Sequence, residues 1–220
     1  MTILEAIKAR HSVRAYTKRP IDGAVLETLQ QEIARVNEQS GLKIRLVLNE
    51  PKAFSSLLAH YGKFENADNY LALFGKDDET LYPLCGYWGE HLVLTAQTLG
   101  LNTCWVAGSY KKSTVKTLGD GGDKLAAVIS IGYAASEGHA HRSKTYEQVT
   151  EAHGPVPQWF RDGVEAALLA PTAINQQRFK IVLRDGNASI AAQRGPYARI
   201  DLGIVQYHFE AASGHPASIE

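Results

Sequence analysis

The chain has 220 residues, 45% hydrophobic and 21% charged, a balance that suits one sizeable core or two small, closely packed ones and excludes a disordered chain. Lysine plus arginine and aspartate plus glutamate both number 23, so the formal charge is zero, no net field draws nucleic acid or an anionic membrane, and any anion site has to be local. No apolar run approaches the roughly 20 residues of a membrane span, and Cys85 and Cys104 are too few for a disulfide framework or a four-cysteine metal site, so the expectation is a cytoplasmic protein with two inert core thiols.

Apolar residues at Leu4 and Ile7, then at Leu26, Leu29, Ile33 and Val36, recur at the spacing of one-sided helices, the second capped near Asp22. Leu42, Ile44, Leu46 and Leu48 alternate as in a strand until Asn49, Glu50 and Pro51 stop it, and a short helix is expected over residues 52 to 60. Residues 70 to 74 read as a buried strand. Residues 85 to 99 read as a long helix with Trp88, Leu92, Ala96 and Leu99 inward, ended by Gly100. One or two helical turns over 115 to 118, a strand over 126 to 133 and a polar loop over 137 to 144 follow. In the last third, helices over 164 to 170 and 204 to 212 flank a strand over 179 to 183 and a loop over 184 to 199. Helix, strand with interleaved cations, then helix also describes residues 24 to 48 and 85 to 99, so the pattern reads as a weak internal duplication or as a chance recurrence. The class expected is α+β, a mainly antiparallel sheet flanked by helices.

Chemistry gathers in a few stretches. If Arg10 to Arg14 is extended, Arg10, Ser12 and Arg14 share one face and His11, Val13 and Ala15 the other. Two guanidiniums around a hydroxyl make an anion clamp; the alternative is a solvated basic strand edge. Residues 99 to 108 end in small side chains that let a flat ligand meet main-chain N–H groups. Arg142 and Lys144 set two cations one residue apart. Pro171 stops a helix, and Asn175 and Gln177 would lie on one side of an extended segment, where their amides suit the edge of a heterocycle. His139 and His141 have the spacing of a metal pair, but without a third ligand in view they read better as a solvated loop. No phosphate-binding glycine loop and no nucleophile elbow is present.

Together these stretches resemble the flavin-dependent nitroreductase family, in particular its compact tandem branch, over most of the chain. The run Arg10-His11-Ser12-Val13-Arg14-Ala15-Tyr16 is similar to the family's opening basic signature. The resemblance implies that Arg10 and Ser12, with His11 between them, meet an FMN phosphate and ribityl chain, and that Arg14 reaches the N1/C2=O side of the ring. It implies that Trp105, Val106, Ala107 and Gly108 line the flavin, with a main-chain N–H of Ala107 or Gly108 facing N5. Arg142 and Lys144 match the family's late phosphate-binding cations, and Lys63 a lysine near the ring. The family's Pro-Ser-x-x-Asn-x-Gln motif is missing early and matches Pro171, Thr172, Ala173, Asn175 and Gln177 instead. That departure implies a pseudo-dimer holding one FMN: residues 1–150 as a first nitroreductase-like repeat, and 151–220 as a shorter second repeat packed on it. Trp105 either stacks near the ring or fills core; Tyr16, Tyr61 and Trp88 read as packing.

The function implied is an FMN-dependent oxidoreductase. It would pass hydride from NAD(P)H as co-substrate, through flavin N5, to a small organic electron acceptor (a nitroaromatic, a quinone or similar) by ping-pong kinetics. No side chain need act as acid or base, and Arg14 would favour the reduced flavin by a few kcal/mol. The alternative is a flavin-binding carrier, sensor or partner-binding module with little turnover. No nucleic acid or membrane partner is expected, and the protein would be a monomer or homodimer.

Overall fold

The computed structural model describes residues 1–55, 62–140 and 142–220. Helix α1 (Ile3–Ala9) opens with a capping box: the Thr2 hydroxyl accepts from the Glu5 N–H and the Glu5 carboxylate from the Thr2 N–H. It stops at Arg10, whose backbone is already extended, so the basic stretch starts where the helix ends. Helix α2 (Gly23–Ser40) turns Leu29, Ile33 and Val36 inward and ends on Gly41 in the left-handed region (φ 71°). Asp22 is its N-cap residue, without a side-chain hydrogen bond to the helix.

Strands β1 (Lys43–Val47), β2 (Tyr70–Lys76), β3 (Asn102–Val106) and β4 (Asp123–Gly132) form an antiparallel sheet in the order β1-β2-β4-β3. Strand β2 is covered on both faces, Leu71 and Leu73 against the helices and Tyr70, Ala72 and Phe74 against the packing around Val13 and Tyr16. A continuous apolar run is what such a strand requires. Helix α3 (Leu81–Thr98) covers the sheet with α2, and Gly100 follows it at φ 79°. A 3-10 turn at Pro51–Phe54 begins the stretch expected to be helical; the rest of that stretch, and Tyr61, lie outside the described residues. Helix α4 (Lys112–Lys116) supplies the short turn before β4.

The chain then passes through α5 (Tyr146–Val149) into a second sheet. Strands β5 (Thr150–Ala152), β6 (Phe179–Arg184), β7 (Asn187–Ala192) and β8 (Ala217–Ile219) lie in that order, with β6 and β7 antiparallel and both edge strands parallel to their neighbours. Helices α6 (Gln158–Ala167) and α7 (Ala198–Ser213) pack on it around Phe160, Val164, Ile181, Ile190 and Phe209. The α+β class and the helix-flanked antiparallel sheet match expectation. Some details differ. The supposed loop over 184 to 199 contains β7, whose Ala188 and Ile190 alone face the core while its other side chains are small or polar. The small-residue stretch after Gly100 contains β3. Both late helices start earlier than their apolar stripes, at Gln158 and Ala198. Among the described residues no helix is long and apolar enough to cross a membrane.

The two halves of the fold meet where α3 packs on α7. Gly86 and Gly203, each the sixth residue of its helix, face each other there: a Cβ on Gly86 would stand 2.1 Å from the Ile200 carbonyl oxygen, and one on Gly203 would stand 2.0 Å from that of Pro83. Only glycine permits this approach.

Candidate functional site

A cavity of about 950 Å³ opens between the two sheets, at the upper end of the ~300–1,000 Å³ of small-molecule sites. One wall is the basic segment. The Val13 N–H donates to the Thr103 carbonyl (3.0 Å), and the Tyr16 hydroxyl, buried and pushed well above its ordinary pKa by that burial, bonds the Val13 carbonyl and Ser130 Oγ, both at 2.7 Å. Residues 10 to 15 are thereby laid along the end of β3, with Val13 in the core, Ser12 half-buried and Arg14 exposed. His11, expected to turn away, also lines the cavity, because Gly138 presses on it: a Cβ there would lie 2.5 Å from His11 Cβ.

Arg10 is buried, 5% exposed, and its guanidinium makes no hydrogen bond among the described residues. Its closest charge partner is Glu90 of α3, with Nε and Oε1 3.9 Å apart. Burial holds the guanidinium below its ordinary pKa, and Glu90 offsets part of that. Glu90 is itself fully buried, accepting from the Trp105 indole N–H (2.8 Å) and lying 2.8 Å from His208 Nε2 of α7, whose Nδ1 faces the Ala166 carbonyl at 3.0 Å. Trp105 packs on Gly89 of α3 and also lines the cavity. Cys104, beside it, is buried, and burial raises its thiol pKa, as expected of an inert thiol.

The opposite wall comes from the last third. Pro171, Thr172, Ala173 and Asn175 line it, with Tyr197, Ile200, Asp201 and Ile204 from the start of α7 and the residue before it. The segment expected to be extended is a 3-10 turn, Ala173–Asn175, with Ile174, Asn175 and Gln177 at positive φ. Asn175 Nδ2 and Gln177 Nε2 do share one side, yet both donate to the Arg142 carbonyl, at 2.9 and 2.8 Å, so these donors brace a loop. Lys144 Nζ donates to the Gln177 carbonyl at 2.7 Å. Arg142, Lys144 and Gln177 are not among the residues that line the cavity, and Arg142 is exposed. Lys63, Val106, Ala107 and Gly108 line the cavity, the last two just past the final ladder pair of Val106 with Val128. Ser12 and Arg14 complete the cationic end. His141 lies outside the described residues.

The family whose description reads "Putative TM nitroreductase" matches residues 2–213. The chain belongs to this nitroreductase family. Among solved structures, it is similar to one described as a putative nitroreductase from Thermotoga maritima, with 24% identity over 96% of this chain and 83% of that one and a TM-score of 0.69. It is also similar to one described as a putative nitroreductase in complex with FMN from Desulfovibrio desulfuricans (20% identity, 71% of this chain and 99% of that one, TM-score 0.54). An FMN-dependent nitroreductase from Clostridium difficile matches at 17% identity, over 66% of this chain and 96% of that one, with a TM-score of 0.54. These likenesses show a shared nitroreductase fold. No curated protein sequence matches the chain.

Asp201, Glu90 and His208 escaped the sequence reading. The available signal was a charged or polar residue inside an apolar helical run, as in Ile200-Asp201-Leu202. Their partners lie on other elements far along the chain.

Proposed function

We propose that the cavity holds FMN and that the protein is a flavin-dependent oxidoreductase, passing hydride from NAD(P)H to a small organic acceptor. The observation that carries this reading is Arg10: a buried guanidinium on the cavity wall that makes no side-chain hydrogen bond among the described residues, its Nε lying 3.9 Å from Glu90 Oε1. Such a group is built for an anionic oxygen. Arg14, Lys63 and the Ser12 hydroxyl line the same cavity and extend the donor set, which suits a phosphate and a ribityl chain. Trp105, Val106, Ala107 and Gly108 offer a flat wall and main-chain N–H groups, and Pro171, Thr172, Ala173 and Asn175 face them from the other side. Family membership and the FMN named for two similar structures support the same choice. Bound FMN supplies the two-electron chemistry; the protein's residues bind it, orient it and set the charge around it. Arg142, Lys144 and Gln177 act by holding the turn at 172 to 177 in place, while His11 lines the cavity beside Arg10 and Ser12.

We infer also that residues 1–150 and 151–220 are two related repeats forming an internal pseudo-dimer with one flavin site, and that the protein works in the cytoplasm. An antiparallel strand pair followed by a long helix with glycine at its sixth place occurs in both halves, which supports this reading. An absorption spectrum with flavin quantified per chain, then anaerobic NAD(P)H addition, tests it. One flavin per chain that bleaches on addition is expected. A colourless protein that takes up no FMN overturns the reading, and a yellow protein that NAD(P)H leaves yellow points to a binding module instead.

A further inference from the structure

The cavity has two chemically different ends. Arg10, Arg14 and Lys63 make one end cationic. The other, at the start of α7, is apolar around a single buried carboxyl, Asp201; the other lining carboxyl among the described residues, Glu137, is exposed. Asp201 Oδ1 accepts from the Ala173 N–H at 2.9 Å and Oδ2 from the Gln176 amide at 2.7 Å. Both donors are neutral. Among the described residues Asp201 makes no ion pair: nearby Arg199 donates to the Glu79 carbonyl and Arg178 to that of Arg194. Both oxygens are hydrogen-bonded, but only to neutral donors, so an ionised Asp201 places an uncompensated negative charge beside the cavity.

The surroundings narrow the partner's shape. Among the described residues four large hydrophobic side chains are exposed; Met1 and Leu4 are at the N-terminus, while Ile174 (90%) and Tyr197 (47%) stand at this cavity. Both occupy left-handed backbone, φ 47° and 59°, which a β-branched or aromatic residue adopts only when its neighbours impose it. Asp201 imposes it by tying the turn at 173 to 176 to its own helix start, and Gln176 adds a bond to the Pro196 carbonyl at 2.8 Å. Tyr197 reaches across towards Gly108, where its hydroxyl would be 3.9 Å from an added Cβ.

We propose that this end of the cavity is a subsite for a flat aromatic cation of the N-alkylpyridinium type, with Asp201 as its counter-ion and the Tyr197 ring over its face. Charge attraction and cation–π contact both favour such a ligand, while an anionic ring is repelled. The inference rests on the flavin reading for what occupies the cationic end. Two sources share this chemistry: the oxidised nicotinamide of NAD(P)⁺, and a separate cationic acceptor.

Equilibrium dialysis with the oxidised, FMN-supplemented protein tests it, using 1-methylnicotinamide cation against neutral nicotinamide. The cation is expected to bind at least ten-fold tighter, and Asp201→Asn to erase the difference. Because Asp201 also ties two turns together, Tyr197→Asn is a second variant; asparagine tolerates the left-handed backbone, and the affinity for the cation is expected to fall at least three-fold more than that for neutral nicotinamide. Equal affinities for the two probes, or a preference that survives both substitutions in folded protein, overturn the proposal. NAD⁺ and the N-methylphenazinium cation form the source arms: Asp201 dependence for NAD⁺ assigns the subsite to nicotinamide, and dependence for phenazinium alone assigns it to an acceptor. If the protein takes up no FMN, the flavin reading fails, whereas the contrast between the two nicotinamide probes remains measurable on the same sample.

Discussion

Gly86 and Gly203 touch where α3 crosses α7, so close that a methyl group on Gly203 would stand 2.0 Å from the Pro83 carbonyl oxygen and 2.6 Å from the Tyr87 nitrogen. Backbone, not a flexible side chain, occupies the space. Gly203→Ala should therefore force the helices apart at a cost of about 1–3 kcal/mol or more, lowering the melting temperature by roughly 2–4 °C per kcal/mol. Thermal unfolding of the variant checks this. Gly86→Ala should act alike, and the double variant should lose less than the sum, because one displacement relieves both clashes.

Arg10 and Glu90 should behave as a coupled pair. Arg10→Met leaves buried Glu90 with only His208 and the Trp105 N–H beside it and should cost up to about 3 kcal/mol, whereas Arg10→Met combined with Glu90→Gln should recover part of that loss. Urea unfolding of the two single variants and the double variant reads the coupling directly. Under the flavin reading both variants that lack Arg10 should also bind FMN more weakly, by about 1.5–3 kcal/mol in titrations.

Arg14 stands exposed at the cavity mouth, so its effect on a bound flavin should be smaller than a poorly solvated site would allow, about 1 kcal/mol instead of a few. Arg14→Met should make the two-electron reduction potential more negative by roughly 20 mV, with FMN affinity little changed. Spectroelectrochemical titration measures it, and an unmoved potential removes Arg14 from this role.

Asp201 gives stability a pH dependence with a definite sign. Burial first of all pushes its pKa up to about 6, against the lowering by its bonds from Gln176 and Ala173. The fold thus holds this proton more tightly than the unfolded chain, so the stabilisation is full below the ordinary carboxyl value near 3.8 and is lost as pH rises through about 6. The full change is on the order of 3 kcal/mol. Asp201→Asn should flatten this component, gaining on the wild type between pH 4 and pH 7 in denaturant midpoints compared at each pH, apart from any constant offset from the altered hydrogen bonds.

Much of the cationic wall was legible in the residues themselves. Arg10, Ser12 and Arg14 declare themselves because charge alternating with Val13, at the end of a helix, marks an extended segment at a surface. The long helix over α3 and the buried strand β2 were equally plain, since apolar period and run length settle them. Strand β7 was not: its Asn187-Ala188-Ser189 start lacks the branched and aromatic residues that mark strands, and its partner β6 decides the matter. The turn holding Asn175 and Gln177 is not legible in the local sequence because its conformation depends on Asp201, Arg142 and Lys144, bonds made between distant parts of the chain. Glu90 and His208 were hidden for the same reason: each makes sense only beside the other.

The two walls of the cavity are joined covalently through α5 and β5, and this has a consequence for how the site survives dilution. Where a pocket is shared between separate molecules, thinning the solution eventually separates its halves. Here the connecting segment keeps one wall at a fixed, high effective concentration about the other, so the assembled pocket should persist at any protein concentration, and ligand affinity measured at nanomolar protein should equal that measured at micromolar.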